Sequence, residues 1–81
     1  MSVAEDGLNR FFVFCVRCNC FVDTWPANKP LPYFYTCPRC GLKDKTWRLR
    51  KWNGGRFRRK IVFVYGSNPA YKKLREMAAK C

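Results

Sequence analysis

Two short cysteine motifs constrain this chain more than anything else in it. Cys15-Val-Arg-Cys18-Asn19 and Cys37-Pro-Arg-Cys40-Gly41 stand with eighteen residues between them in a chain of 81. A domain of that size buries only roughly 60 % of the surface its unfolded chain exposes, so it needs a staple such as a metal or disulfides. In a Cys-x-x-Cys turn both sulfurs can converge on one ion while backbone N–H groups point at the sulfur charge. The spacing of the two pairs lies in the range for a four-cysteine zinc site, where tetrahedral zinc takes four thiolates at about 2.3 Å each. Cys15, Cys18, Cys37 and Cys40 are therefore the candidate ligands of one structural Zn2+. The residue after each second cysteine is expected in the left-handed conformation, and Asn19 and Gly41 are the two types that accept it best. With no histidine in the chain, mixed Cys/His sites are impossible.

Other uses of the cysteines fit less well. A disulfide framework requires an oxidising compartment, and the acidic N-terminus, Met1 to Gly7, has no secretory pattern. A rubredoxin-like iron site takes the same four thiolates, but it serves electron transfer, which a strongly basic chain does not particularly suggest. A thioredoxin-type pair sits at a helix start in a βαβ unit, and neither pair does. Cys20 reads as a small buried apolar residue, and Cys81 as a solvent-exposed terminal thiol.

The order of elements around the motifs is that of a ribbon. Residues 10–15 form a β-rich run into the first pair, and 21–25 continue with strand character. Pro26, Pro30 and Pro32 interrupt regular structure, and 33–36 return as a strand into Cys37. Beyond the second pair, extended runs at 46–52 and 56–65 flank Asn53-Gly54-Gly55, a strong hairpin signal because Asn and Gly tolerate positive φ. Ser67 or Asn68 can cap a helix with Pro69 in its first position. Within it Ala70, Tyr71, Leu74, Met77 and Ala78 fall on one face.

Over roughly residues 10–50 this arrangement resembles the zinc-ribbon superfamily, whose members include small ribosomal proteins, RNA polymerase subunits and transcription factors. The Cys37-Pro-Arg-Cys40-Gly41 knuckle beside a basic hairpin looks most like the ribosomal members. Transcript-cleavage ribbons carry an acidic Asp-Glu pair at the hairpin tip. The matching stretch here, 21–36, holds only Asp23, so that activity is not implied.

Charge is divided unevenly. Residues 1–42 carry a net +1 and residues 43–81 a net +11, the footprint of a polyanion partner. Aromatic residues at 17 % and hydrophobic residues at 48 % argue against a disordered basic tail. Arg48, Arg50, Lys51, Arg56, Arg58, Arg59 and Lys60 surround the expected turn, and residues 46–65 contain no acid. A hairpin with its loop at 53–55 places Arg50 opposite Arg58 and Arg48 opposite Lys60. Such like-charge pairs destabilise a strand pair, and a polyphosphate would relieve them. Arginine forks match phosphate oxygens and stack on bases. Trp47, Trp52 and Phe57 offer either stacking surfaces for unpaired bases or closure of a small core. Lys72, Lys73 and Arg75 extend the positive surface along the helix.

Nothing in the sequence supports catalysis: five scattered carboxylates form no acid–base pair, and four cysteines close a zinc site against water. The longest apolar run, 11–16, is too short to span a bilayer. The sequence thus predicts a small, zinc-dependent α+β fold: a tail at 1–9, a zinc ribbon at 10–45, a basic β-hairpin at 46–65 and a C-terminal helix at 68–80. The expected role is a zinc-binding structural RNA-binding component of a large ribonucleoprotein, the ribosome first. RNA is favoured over DNA, with neighbouring proteins of the assembly as further partners and neither a membrane nor a small-molecule substrate. The expected location is an intracellular reducing compartment. A DNA-binding or transcription-associated ribbon, cellular or viral, and a protein–protein adaptor remain the alternatives.

Overall fold

The computed structural model describes residues 10–78. The expected tail at 1–9, the end of the expected helix and Cys81 lie outside the described residues. Five strands run in chain order, β1 (Arg10–Cys15), β2 (Cys20–Pro26), β3 (Phe34–Thr36), β4 (Lys43–Leu49) and β5 (Ile61–Tyr65), followed by one helix, α1 (Pro69–Met77). They form a single sheet of order β2-β1-β5-β4-β3. β1 pairs antiparallel with both β2 and β5, and β3 pairs antiparallel with β4.

The two central strands are the most apolar because both of their faces are covered. On β1 and β5, Phe11, Val13, Cys15, Ile61 and Phe63 face one core cluster, which Cys37 joins. Phe14, Val62 and Val64 face the other, together with Leu49 and the helix residues Ala70 and Leu74. Alternation along a strand sends neighbours to opposite faces, so one unbroken hydrophobic run serves two small cores.

The sheet is curled. β2 and β3 stand at opposite ends of the strand order, yet the Tyr35 hydroxyl of β3 donates a 2.6 Å hydrogen bond to Asp23 Oδ2 of β2. Trp25 and Tyr35 each pack a ring edge on Phe63, with centroids 5.7 Å away in both cases. Burial, and then the bond to Asp23, pushes the Tyr35 phenol well above its ordinary pKa.

The expected basic hairpin does not form. β4 and β5 are parallel, with Thr46 opposite Ile61 and Leu49 opposite Val64, so residues 50–60 are a crossover loop. Arg50 therefore does not face Arg58, nor Arg48 Lys60. Parallel pairing buries Leu49, Val62 and Val64 together with Phe14, and the turn differs accordingly: a tight hairpin turn needs positive φ at both central residues, and here Gly54 has it (φ 88°) whereas Asn53 does not. Asn53 Oδ1 instead accepts from the Gly55 N–H at 3.2 Å, a local Asx turn. The loop is held down by its aromatic residues. Phe57 stacks on Trp52 (5.0 Å, 24°) and on Phe14 (5.9 Å, 30°) and meets Trp47 edge-on, covering the core on the helix side.

α1 begins as expected. Asn68 is the cap, its Oδ1 accepting from Ala70 N at 2.9 Å, and Pro69 opens the helix. The Asn68 amide also donates to the carbonyls of Leu49 (3.1 Å) and Arg50 (2.7 Å), tying the helix start to the point where the crossover leaves β4. Tyr71 packs on Phe12 and Phe21. Met77, expected on the core face, is instead 41 % exposed, while Ala70 and Leu74 of the same helix are buried.

Candidate metal centre and basic groove

The two knuckles are hairpin ends. The first joins β1 to β2, where Cys15 pairs with Cys20, and the second joins β3 to β4, where Thr36 pairs with Lys43. Asn19 (φ 55°) and Gly41 (φ 76°) adopt the left-handed conformation, as their positions require. Gly41 donates its N–H to the Cys37 carbonyl at 2.9 Å and Cys37 N donates to the Leu42 carbonyl at 2.7 Å, closing the second turn.

The curl of the sheet brings the two knuckles together. The sulfurs of Cys15, Cys18, Cys37 and Cys40 all lie within 4.8 Å of one another. Cys15 Sγ is 3.7 Å from Cys40 Sγ, and Cys18 Sγ is 3.8 Å from Cys37 Sγ. Four thiolates around one ion at about 2.3 Å have sulfur–sulfur separations of about 3.8 Å. These separations also far exceed a disulfide bond of about 2.05 Å, and all four cysteines are free. The donor set and its geometry therefore fit one tetrahedral metal ion. Cys15 and Cys37 are buried, while Cys40 lies at the surface.

The surroundings treat the sulfurs unequally. The Cys18 N–H points at Cys15 Sγ from 3.4 Å, while burial pushes the Cys15 thiol up. Its hydrogen bond with Cys40 pushes Cys18 up to about 12. Burial would raise Cys37 as well, but the N–H groups of Cys40 and Arg39 and the neighbouring thiols bring it down to about 7. Cys20 is buried and stands outside the cluster; Arg39 Nη1 lies 2.8 Å from its sulfur.

The second feature is an open groove of about 610 Å³ beside the crossover. Arg48, Arg50, Lys51, Arg56 and Arg58 line it with Trp47, Trp52 and Asn53, and no carboxylate does. On a hairpin, these cations would have pointed to two opposite faces. The crossover gathers Arg50, Lys51, Arg56 and Arg58 at one concavity instead. Arg48 also borders it, but lays its guanidinium 5.3 Å from the Phe11 ring centre and lines a second hollow with Phe11, Lys29 and Tyr65. Trp52 is half-buried, its Nε1–H donating to the Gly55 carbonyl at 3.0 Å. Lys73 Nζ donates to the Trp52 carbonyl at 3.3 Å, fastening α1 to the rim.

The other expected contact residues are dispersed. Arg59 lines an adjoining hollow of about 500 Å³ with Thr46, Trp47 and Arg58. Lys60 contributes its backbone N–H to Asp44 Oδ2 at 2.9 Å, and that bond, then the Lys45 N–H, lowers the Asp44 pKa. Lys72 lies on the exposed helix surface. Arg75 lines a separate hollow with Phe12, Phe21, Asp23, Thr24 and Tyr71. Trp47, whose place in both basic hollows reading by residue type left open, follows Lys43 and Lys45 at period two on β4, a signal that could have placed it.

Comparison with protein-family models, with curated proteins and with solved structures gives no match. The four clustered cysteines can form a zinc-ribbon-like site, and among the described residues no helix is long and apolar enough to cross a membrane.

Proposed function

We propose that this chain is a zinc-stabilised RNA-binding protein acting as a structural component of a large ribonucleoprotein, the ribosome being the first candidate. The observation that carries this reading is the open groove, walled by four arginines, a lysine and two tryptophans without a single carboxylate. Such a surface suits phosphate through bidentate guanidinium contacts and accepts bases by stacking rather than by reading their edges.

Zinc is the metal this reading assigns to Cys15, Cys18, Cys37 and Cys40. A site closed by four thiolates has no vacant position for substrate, and the ion would act by holding β1–β2 against β3–β4. The paired knuckles and the basic, aromatic neighbour are what support a ribosomal-type ribbon over an electron-transfer site.

The test is sedimentation of the tagged protein in a lysate gradient, with zinc content measured on the purified chain. Co-migration with ribonucleoprotein particles that collapses on ribonuclease treatment is expected. Sedimentation as a small free protein, or a complex indifferent to ribonuclease, would contradict the RNA reading. The second outcome would favour a protein–protein adaptor.

A further inference from the structure

A second aromatic and cationic patch lies at the other end of β4, outside the residues assigned to the groove. Among the described residues the exposed large hydrophobic side chains are Tyr33 (68 %), Phe34 (46 %) and Met77. Tyr33 and Phe34 are neighbours, their rings edge-to-face at 4.9 Å. Each lies beneath a lysine from β4: Lys45 Nζ is 5.2 Å from the Tyr33 ring centre and Lys43 Nζ is 5.4 Å from that of Phe34.

The register explains the grouping. Phe34 pairs with Lys45 and Thr36 with Lys43, and directly opposed residues of an antiparallel pair share a face. Lys43, Lys45 and Trp47 alternate along β4 and share that face too. Asp44 belongs to the opposite face, where its two carboxylate oxygens accept the Lys45 and Lys60 N–H groups at 2.8 and 2.9 Å. Trp47 lines both the groove and the adjoining Arg58–Arg59 hollow. Arg59 in turn lies close enough to Tyr33 to help lower its pKa. Cations and exposed rings therefore continue from the groove, past Trp47, to the edge strand β3.

We infer that this strip is a second nucleic-acid contact, taking unpaired RNA nucleotides that stack on Tyr33 and Phe34 while Lys43, Lys45 and Arg59 hold their phosphates. The inference rests on the RNA-binding reading and extends it: the groove accepts phosphate of either form, whereas the strip selects single strands, because paired bases have no free face to offer an exposed ring. Burying two solvent-exposed rings against bases also gives a reason for rings to stand clear of either core. The lysines now over the rings are the groups that would turn outward to phosphate as a base takes their place.

The test compares the zinc-loaded full chain with Tyr33→Ala/Phe34→Ala and with Arg50→Ser/Arg58→Ser, by anisotropy of a labelled single-stranded oligouridine and a labelled RNA duplex. The aromatic variant should lose roughly tenfold or more in affinity for the single strand, keep its duplex affinity, and keep its salt slope. The arginine variant should lose affinity for both. In the parent protein, ring resonances of Tyr33 and Phe34 should shift when oligouridine is added, a reading that needs no variant. If the aromatic variant binds the single strand as the parent does, or the ring resonances stay put, the strip is not a contact, while the groove reading stands. Equal losses for single strand and duplex would also overturn single-strand selection, and so would a change in oligomeric state without a change in RNA affinity. If both variants bind as the parent does, the groove assignment falls with the strip, and the RNA reading itself fails if the parent binds neither probe.

Discussion

Phe57→Ala asks whether the crossover loop is held as described. Phe57 is half-buried, stacked between Phe14 and Trp52 with ring centres 5.9 and 5.0 Å away, and met edge-on by Trp47 at 6.3 Å. Truncating a fully buried Phe costs about 3–5 kcal/mol. Half-burial scales that to roughly 2 kcal/mol, part of it from ring pairs worth about 0.5–1.5 kcal/mol each. For a domain of this size such a loss lowers Tm by roughly 10 °C. The substitution also frees Trp52, which rests on Phe57 and lines the groove. Thermal denaturation of the zinc-loaded protein followed by near-UV circular dichroism should show the drop in Tm. Trp52 fluorescence should shift to the red at temperatures where the variant is still folded. RNA affinity should fall as well, because Arg50, Arg56 and Arg58 lose the fixed loop that gathers them. An unchanged Tm with an unchanged Trp52 signal would refute the crossover packing and favour an ordinary hairpin with Phe57 in solvent.

Further perturbations bear on other parts of the molecule. Cys37→Ser, or chelation of the parent, should remove one metal equivalent and abolish the cooperative unfolding transition, since binding energies of about 10–16 kcal/mol exceed what so small a core stores. Cys20→Ser should retain the metal by elemental analysis. Asn68→Ala removes the cap bond to Ala70 and both bonds to the Leu49 and Arg50 carbonyls. It should cost about 2 kcal/mol in urea denaturation, the upper range for a cap. The tyrosines should titrate in a set order by tyrosinate absorbance: the hydrogen bond and charge of Lys45 lower Tyr33, whereas burial and the bond to Asp23 raise Tyr35. Tyr33→Phe should therefore delete a step below the ordinary tyrosine range and Tyr35→Phe a step above it. A folded pKa above the ordinary value means that Tyr35 contributes its full stability below that ordinary value and loses it as pH rises through the folded one.

The cysteine knuckles were legible because their chemistry is local. Each cysteine pair and the residue tolerant of positive φ that follows it lie within five positions, 15–19 and 37–41, and Asn19 and Gly41 take the conformations their types allow. The helix was equally plain from Asn68, Pro69 and the spacing of Ala70 and Leu74. What misled was Asn53-Gly54, whose hairpin preference is a local tendency of at most a few kcal/mol. The competing arrangement buries Leu49, Val62 and Val64 with Phe14 on one face of a central parallel pair, and Phe57 closes it. That gain depends on contacts between residues far apart in sequence, which no short-range signal records. The uninterrupted run Ile61–Tyr65 was the clue, since a strand with one face in solvent alternates and this one does not. The groove was legible in composition and not in shape: its arginines were named from charge alone, but their convergence follows from the crossover. The strip of Tyr33, Phe34, Lys43 and Lys45 went unread because exposure and register decide it.

Salt dependence of RNA binding probes the proposed role of the groove most directly. Zinc-loaded parent and an Arg48→Ser/Arg50→Ser/Arg56→Ser/Arg58→Ser variant would be titrated with duplex RNA from about 50 to 200 mM salt. Four phosphate contacts give a slope of log affinity against log salt of roughly −3 to −4. The variant, retaining one metal and a cooperative transition, should bind more weakly with a clearly shallower slope, the remainder coming from Lys51 and the other cations it keeps. A folded, metal-loaded variant that keeps the parent's affinity and slope would contradict the assignment of the groove to nucleic acid.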